Sequence, residues 1–346
     1  MLKKFILFFC LAAGAVVFSD SYNFYMISDT HFGAPESFPK AWTGKKKYRI
    51  PPFPKRAEVA MPVYEALFKD IQRKADQKTQ FLLDCGDFVE GAAKDAASHK
   101  AELKKALALL NKHISLKIYH VRGNHDNYGP GGDEAFDAVM LPVISRSIGK
   151  EKMTGVNYDF SLGKDHFIVL DYERRSNWQK FLKTTLSGFK TPPRYLFVAI
   201  HTPLISNWSP VLTEKICDLL LPYNTILLSG HIHSNTITKY SKNGKTLTQV
   251  TVSTMLPQRP QGNLVCVRGR ETLEQYKNRL VDGEKRPNRK EAVKKWLPYL
   301  SDFIRIRGGG YIRFEVSDKG VVALYQGSNL SRPPCRVVVV SREVKK

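Results

Sequence analysis

Residues 23–31 read Asn-Phe-Tyr-Met-Ile-Ser-Asp-Thr-His, a run of β-favouring side chains over Asn23–Ser28 that ends on the polar triplet Asp29-Thr30-His31. Aromatic and branched residues fit a half-buried pleated surface, so this is a strand leading into a loop. Phe81–Asp84 is a second such run, followed by Gly86-Asp87, and Leu116–Val121 is a third, followed by Gly123-Asn124-His125-Asp126. Between them, Ala57–Lys78 places Val59, Val63, Ala66, Leu67, Phe68 and Ile71 at helical spacing, and Ala101–Asn111 does the same with Leu103, Leu107 and Leu110. Strand, helix and strand in this rhythm predict parallel pairing through right-handed crossovers.

A second series follows. Val156–Leu162 and His166–Tyr172 read as a hairpin turned at Gly163-Lys164, Ser176–Leu186 as a helix, and Tyr195–Ile200 as a strand leading to His201. Val211–Leu221 is a helix ended by Pro222, and Thr225–Ser229 is a strand leading to Gly230-His231-Ile232-His233. Thr236–Tyr240 pairs with Thr246–Val252 across Lys242-Asn243-Gly244. No linker-like stretch separates the two series, so one α/β domain with two packed sheets and outer helices is expected. Residues 34–56 read as a long loop, residues 268–307 as a charged, helical stretch, and Tyr311–Tyr325 as a hairpin that adds strands to the sheet.

Each polar motif lies directly after an expected strand. The carboxyl ends of parallel strands gather at one edge, where ligands bind, so residues distant in sequence converge. Their types suit a pair of hydrolytic cations, which need oxygen and imidazole ligands and a shared carboxylate to sit roughly 3.5–4 Å apart. Asp29, His31 and His233 can surround one ion, Asn124, His201 and His231 the other, and Asp87 can bridge them. In an extended Gly-His-Ile-His segment the two histidines face opposite sides, one for each ion. His125 is left for the leaving group, as proton donor or as a cation facing developing charge, with Asp126 placed to orient it by accepting a ring hydrogen bond. The donor set admits Mn, Fe, Zn or Ni. His99, His113, His120 and His166 have no such context and are read as packing or surface residues.

The ordered series Asp-x-His, Gly-Asp, Gly-Asn-His-Asp, His and Gly-His-x-His resembles the calcineurin-like metallophosphoesterase superfamily over about residues 23–255. The resemblance implies a four-layer αββα sandwich with two central mixed sheets flanked by helices, two divalent metal ions, and the ligand roles just given. Glu90 stands where purple acid phosphatases carry a tyrosine three residues after the bridging Asp, so the resemblance does not extend to that subgroup. The spacing from Asp29 to Asp87 is long for the family, and the 34–56 insertion accounts for it. Residues 20–260 are thus expected to form the metallophosphoesterase domain, with 261–346 a C-terminal extension packed on it.

The chain is 346 residues long with 54 Lys and Arg against 32 Asp and Glu, a net charge of +22. Such a balance speaks to anionic partners and solubility rather than to fold. The 34–56 segment interleaves Lys40, Lys45, Lys46, Lys47, Arg49, Lys55 and Arg56 with Phe38, Trp42, Tyr48 and Phe53. It can grip an anionic substrate at the rim of the site or be a solvated insertion. An anionic phosphoester is the expected substrate. A nuclease or nucleotide hydrolase acting on a polyanion, and a non-catalytic module that keeps the metals as structure, are the alternatives.

The N-terminus has Lys3 and Lys4 before an apolar run from Phe5 to Phe18, too short to span a bilayer comfortably, with Val17 and Ser19 as small residues before a cleavage point. Residues 1–19 therefore read as an export signal with a mature start near Asp20 and a periplasmic or secreted location. An uncleaved membrane anchor is the alternative. Cys85, Cys217, Cys266 and Cys335 remain, and their spacing gives neither a zinc-thiolate pattern nor a unique pairing.

Overall fold

The computed structural model describes residues 21–37, 53–151, 153, 155–172, 177–255 and 266–342. The signal-like N-terminus and most of the basic insertion, residues 38–52, lie outside the described residues.

Two mixed sheets form the centre. In the first, β1 (Tyr22–Ile27), β2 (Thr79–Asp84) and β3 (Lys117–His120) are parallel neighbours. They are linked by α1 (Phe53–Lys74) and α2 (Ala96–His113). After β3 comes α3 (Gly132–Ile148), a helix that the sequence pattern does not announce. It opens on the Gly129-Pro130-Gly131 turn region and contains Pro142, and both features interrupt the local signal for a helix.

The second sheet is built from β4 (Tyr158–Leu162), β5 (Asp165–Leu170), β6 (Leu196–Ile200), β7 (Thr225–Ser229), β8 (Asn235–Lys242) and β9 (Lys245–Thr251). Helices α4 (Trp178–Ser187) and α5 (Pro210–Leu220) make the crossovers β5 to β6 and β6 to β7, both parallel pairs. The β8–β9 hairpin turns on Asn243 and Gly244, both at positive φ, as a two-residue turn of that kind demands.

The C-terminal part supplies strands to both sheets. After β10 (Val267–Arg268), α6 (Leu273–Asp282) and α7 (Pro287–Trp296) come β11 (Leu300–Arg307), β12 (Gly310–Ser317), β13 (Gly320–Gly327) and β14 (Cys335–Ser341). The orders are β14-β13-β12-β1-β2-β3 and β10-β11-β8-β9-β7-β6-β5-β4. The expected hairpin is β12–β13, and it adds to the first sheet beside β1. The expectation of helix through residue 307 is corrected: residues 300–307 form β11, paired antiparallel with β8. Leu300, Phe303 and Ile306 are buried at a three-residue spacing that mimics a helix, while the backbone pairs with β8 on one side and β10 on the other. The first turn of α1 begins at Phe53, inside the stretch read as a loop.

The layers follow from strand alternation. On the inner face of the first sheet, Phe24 stacks on Phe81 and Phe314 at 4.9 and 4.6 Å. On the facing sheet Phe167 stacks on Phe197 and Phe160 at 4.5 and 4.9 Å. The two ladders meet edge to face, with Phe24 5.6 Å from Phe167 and 5.5 Å from Phe197. Such pairs contribute about 0.5–1.5 kcal/mol each beyond their buried area. Tyr25, one residue on, turns to the other face against Tyr311, whose hydroxyl donates to Asp70 of α1 at 2.6 Å. On the second sheet Ile168, Val198 and Leu227 turn outward against Trp178, Leu182, Ile216 and Trp296 of the helices. The result is the four-layer α/β sandwich expected. Phe24, fully buried at this seam, sets a test: Phe24→Ala should lower unfolding free energy by about 3–5 kcal/mol in urea titration, and a loss under 1 kcal/mol would show that the seam does not hold the sheets together.

Candidate metal centre

All nine singled-out residues come together. Asp29 and His31 follow β1, Asp87 follows β2, and Asn124, His125 and Asp126 follow β3. His201 follows β6, and His231 and His233 follow β7. The meeting place is the shared rim of two sheets rather than the edge of one, with three loops from the first and two from the second.

The loops are tightly wound. Among the described residues, six non-glycine residues have positive φ, and five belong to the site: Asp29, His31, Asp87, His231 and His233. Each left-handed residue costs of order 1–3 kcal/mol and persists only where the surroundings impose it. Here the expectation of an extended Gly-His-Ile-His segment is corrected. The segment is not a strand, and both histidines are left-handed with φ of 66° and 48°. They still reach different partners, because the winding rather than strand alternation separates them. Glycine is required for room: a Cβ on Gly123 would collide with the Asp87 backbone and carboxylate, and one on Gly230 with Ser28 and the Asp29 carboxylate.

Three groups of side chains bring their ligand atoms within 4.8 Å of one another: Asp29, His31 and His233; Asp87, His201 and His231; and His31, Glu90 and His125. His233 Nε2 is 3.1 Å from Asp29 Oδ1, and His31 Nε2 is 3.0 Å from His233 Nε2. Asp87 Oδ2 joins the first two groups, at 3.0 Å from His201 Nε2 and 3.8 Å from His31 Nε2. His201 Nδ1 donates to the Cys85 carbonyl at 2.7 Å, which leaves Nε2 as the lone-pair nitrogen of the neutral ring. Burial opposes charge on Asp29, but the hydrogen bond with His233 and the nearby His201 outweigh it and hold the carboxyl below its usual range. For His201, burial likewise opposes charge, yet Asp87 carries the ring up to about 10. Burial and then the neighbouring His201 push His231 down to about 4.

The residues fit a pair of divalent cations. Asn124 Oδ1 and His231 Nε2 are buried without a hydrogen-bond partner among the described residues, and His201 Nε2 faces Asp87 Oδ2 at 3.0 Å. Buried polar atoms are normally satisfied, and two orphaned ligand atoms beside a histidine and two carboxylates suit first-row divalent ions.

Asp126 does not orient the His125 ring. Its two carboxylate oxygens accept four amide N–H groups, from Asp87, Phe88, Val89 and Gly123, at 2.8–3.1 Å. Burial and the Asp87 and Asp84 charges push its pKa upward, against the pull of those amides. It is the clasp that fastens the β2 loop to the β3 loop. The ring of His125 instead donates from Nδ1 to the Glu90 carbonyl at 2.8 Å, and its amide donates to Asp87 Oδ1 at 2.7 Å. Burial lowers the His125 pKa, but Asp87 and Glu90 outweigh it, so the net shift is upward.

Glu90, read from the sequence only as the residue in place of a subgroup's tyrosine, is a further site residue. Its buried carboxylate lies 3.0 Å from His31 Nδ1 and 3.6 Å from His125 Nδ1. Position alone, three residues after Asp87 in the same loop, was the available signal. Glu102 of α2 is a second: it accepts the amides of Ala34 and Gly91, tying the β1 loop to the β2 loop. His99 and His120 are buried packing residues, bonded to the Asp126 carbonyl and to Asp84. Among the described residues the cysteines are free thiols, with Cys85, Cys217 and Cys266 buried.

A Calcineurin-like phosphoesterase family model matches residues 22–235, and the chain belongs to that family. No curated protein matches it. Among solved structures it is similar to GAP50, the anchor in the inner membrane complex of Plasmodium, at 13% identity and a TM-score of 0.50, covering 94% of this chain and 90% of that one. It is also similar to PhoD at 10% identity and a TM-score of 0.49, covering 92% and 68%. A third is a 5'-nucleotidase from Candida albicans, at 13% and 0.39, covering 68% and 46%. At these identities the likeness to GAP50 speaks to the fold alone. Family membership supports metal-dependent phosphoester hydrolysis as the class of chemistry.

The Asp126 clasp gives a test. Asp126→Asn keeps one oxygen and turns an NH₂ toward two amide donors, stranding them at about 1–3 kcal/mol each. Calorimetry should show a clear fall in Tm together with weakened divalent-ion binding. An unchanged Tm would show that the amides do not depend on this carboxylate.

Proposed function

We propose that the protein is an exported phosphoesterase that holds two divalent cations and hydrolyses a phosphate mono- or diester with water. The observation that carries this reading is the buried cluster of ligand atoms on Asn124, His201 and His231, two of them unpartnered, gathered with the carboxylates of Asp29 and Asp87. Asp29, His31 and His233 would hold one cation, Asn124, His201 and His231 the other, and Asp87 would bridge. When bound, the pair supplies Lewis-acid polarisation of the phosphoryl group and acidifies water.

The remaining work belongs to side chains. Glu90 and Asp87 keep His125 inclined to carry a proton, and Nδ1 is engaged with the Glu90 carbonyl, so Nε2 is the atom available to a leaving oxygen. A side chain 31% exposed can reach both substrate and solvent. Export rests on the basic and apolar start of the sequence. Among the described residues no helix is long and apolar enough to cross a membrane.

Release of phosphate from 4-nitrophenyl phosphate or its bis-ester should require added Mn²⁺, Zn²⁺, Ni²⁺ or Fe²⁺ and vanish with a chelator. Asp87→Asn and His125→Ala should remain folded by circular dichroism and lose at least about 100-fold in kcat. Full activity in either would refute the role given to that residue. Tight metal binding without turnover over a broad ester panel would favour a non-catalytic module. Saturating metal should also raise unfolding free energy, by about 2.7 kcal/mol at a hundredfold excess over Kd. N-terminal sequencing of the exported protein should begin near Asp20, and retention of Met1 would favour the uncleaved anchor.

A further inference from the structure

Among the described residues, two aromatic side chains are largely exposed, Tyr128 at 58% and Trp208 at 54%. Both lie against site histidines. Trp208 stands edge-on to His231 at 4.4 Å between ring centres, and Tyr128 lies 6.0 Å from His125. The order of rings is continuous: Tyr128, His125, His31, then across Asp87 to His201, His231 and Trp208. The two aromatics therefore stand at opposite ends of the row of candidate ligands.

Trp208 is also held in place from outside the region that carries the family motifs. Its carbonyl accepts Arg289 Nη2 of α7 at 2.9 Å, and its amide donates to Ser206 Oγ at 3.1 Å. Arg289 also donates to the Asn207 carbonyl and is paired with Glu284 at 3.1 Å. Two residues on, the Pro210 carbonyl accepts Trp296 Nε1 at 3.1 Å, and upstream the Tyr276 hydroxyl donates to the Ile205 carbonyl. Helices α6 and α7 thus fasten the loop after His201 at three points. An apolar ring left in water forfeits the free energy of burial, and a restrained loop has already lost the entropy that binding would otherwise remove.

We propose that Trp208, with Tyr128 at the opposite end, is a substrate-binding platform, and that the phosphoester taken by this site carries a planar aromatic organic group. The proposal rests on the phosphoesterase reading above and names its substrate class. Stacking on a fixed ring favours a flat π-system over a saturated ring of equal size by a factor of about five, the middle of the range for aromatic pairs beyond area burial.

The test uses the full chain loaded with Mn²⁺ and three non-hydrolysed probes in calorimetric titrations: phenylphosphonate, cyclohexylphosphonate and inorganic phosphate. The wild type should bind phenylphosphonate about fivefold more tightly than cyclohexylphosphonate. That ratio should fall to about one in Trp208→Ala, persist in Trp208→Phe, and shrink in Arg289→Ala, which frees the loop without touching the ring. Elemental analysis of bound Mn²⁺ accompanies each variant. If Trp208→Ala loses metal, Trp208→Phe and Arg289→Ala carry the comparison. A wild-type ratio of one with phosphate still bound would overturn the aromatic platform and leave the phosphoesterase reading standing. An undiminished ratio in Trp208→Ala with its metal retained would overturn the assignment to Trp208. Failure of all three probes, phosphate included, would overturn both.

Discussion

Asp87 Oδ2 and His201 Nε2 face each other at 3.0 Å across the gap between two sheets. One residue follows the middle strand of the first sheet's parallel set, and the other follows a strand of the second. No hydrogen-bonded ladder connects those strands, so nothing in the secondary structure sets this distance. It is set by His201 Nδ1 donating to the Cys85 carbonyl at 2.7 Å and by the aromatic seam between the sheets, where Phe24 stands edge-on to Phe167 and Phe197. Close-packed interiors resist small displacements, and a site divided between two sheets needs that stiffness more than a site on one.

The same stiffness sustains strained loops. Five left-handed non-glycine residues in one small region would unwind if their loops were free. The amides of the β2 loop are gathered by Asp126, the β1 and β2 loops are tied by Glu102, and the His231 amide donates to the Asp29 carboxylate at 2.9 Å. Three buried carboxylates thus act as clasps on backbone, and Asp29 also faces the ligand groups. Close approach then explains why Gly123 and Gly230 flank them: the carboxylate of one loop occupies the space a side chain on the next would need.

Parallel strands followed by helices were legible because each strand is a short apolar run and each helix carries a 3.6-residue period. The failures have particular causes. α3 hides behind a glycine-proline turn and an internal proline. β11 hides in a charged segment because its buried residues, Leu300, Phe303 and Ile306, fall at a three-residue spacing that reads as helical. Glu90 and Glu102 hide because a single acid carries no local pattern; what makes each part of the site is a partner on another loop.

From the sequence alone follow the identity and order of the ligand-type residues and their placement after strands, since motif chemistry and strand ends are local properties. Only the tertiary structure decided that the ends of two sheets share one rim, that Asp126 binds backbone rather than the His125 ring, and that α6 and α7 brace the loop bearing Trp208. Those outcomes depend on contacts between segments far apart in the chain, where packing and unsatisfied amides choose the partner, and no local pattern of residues encodes that choice.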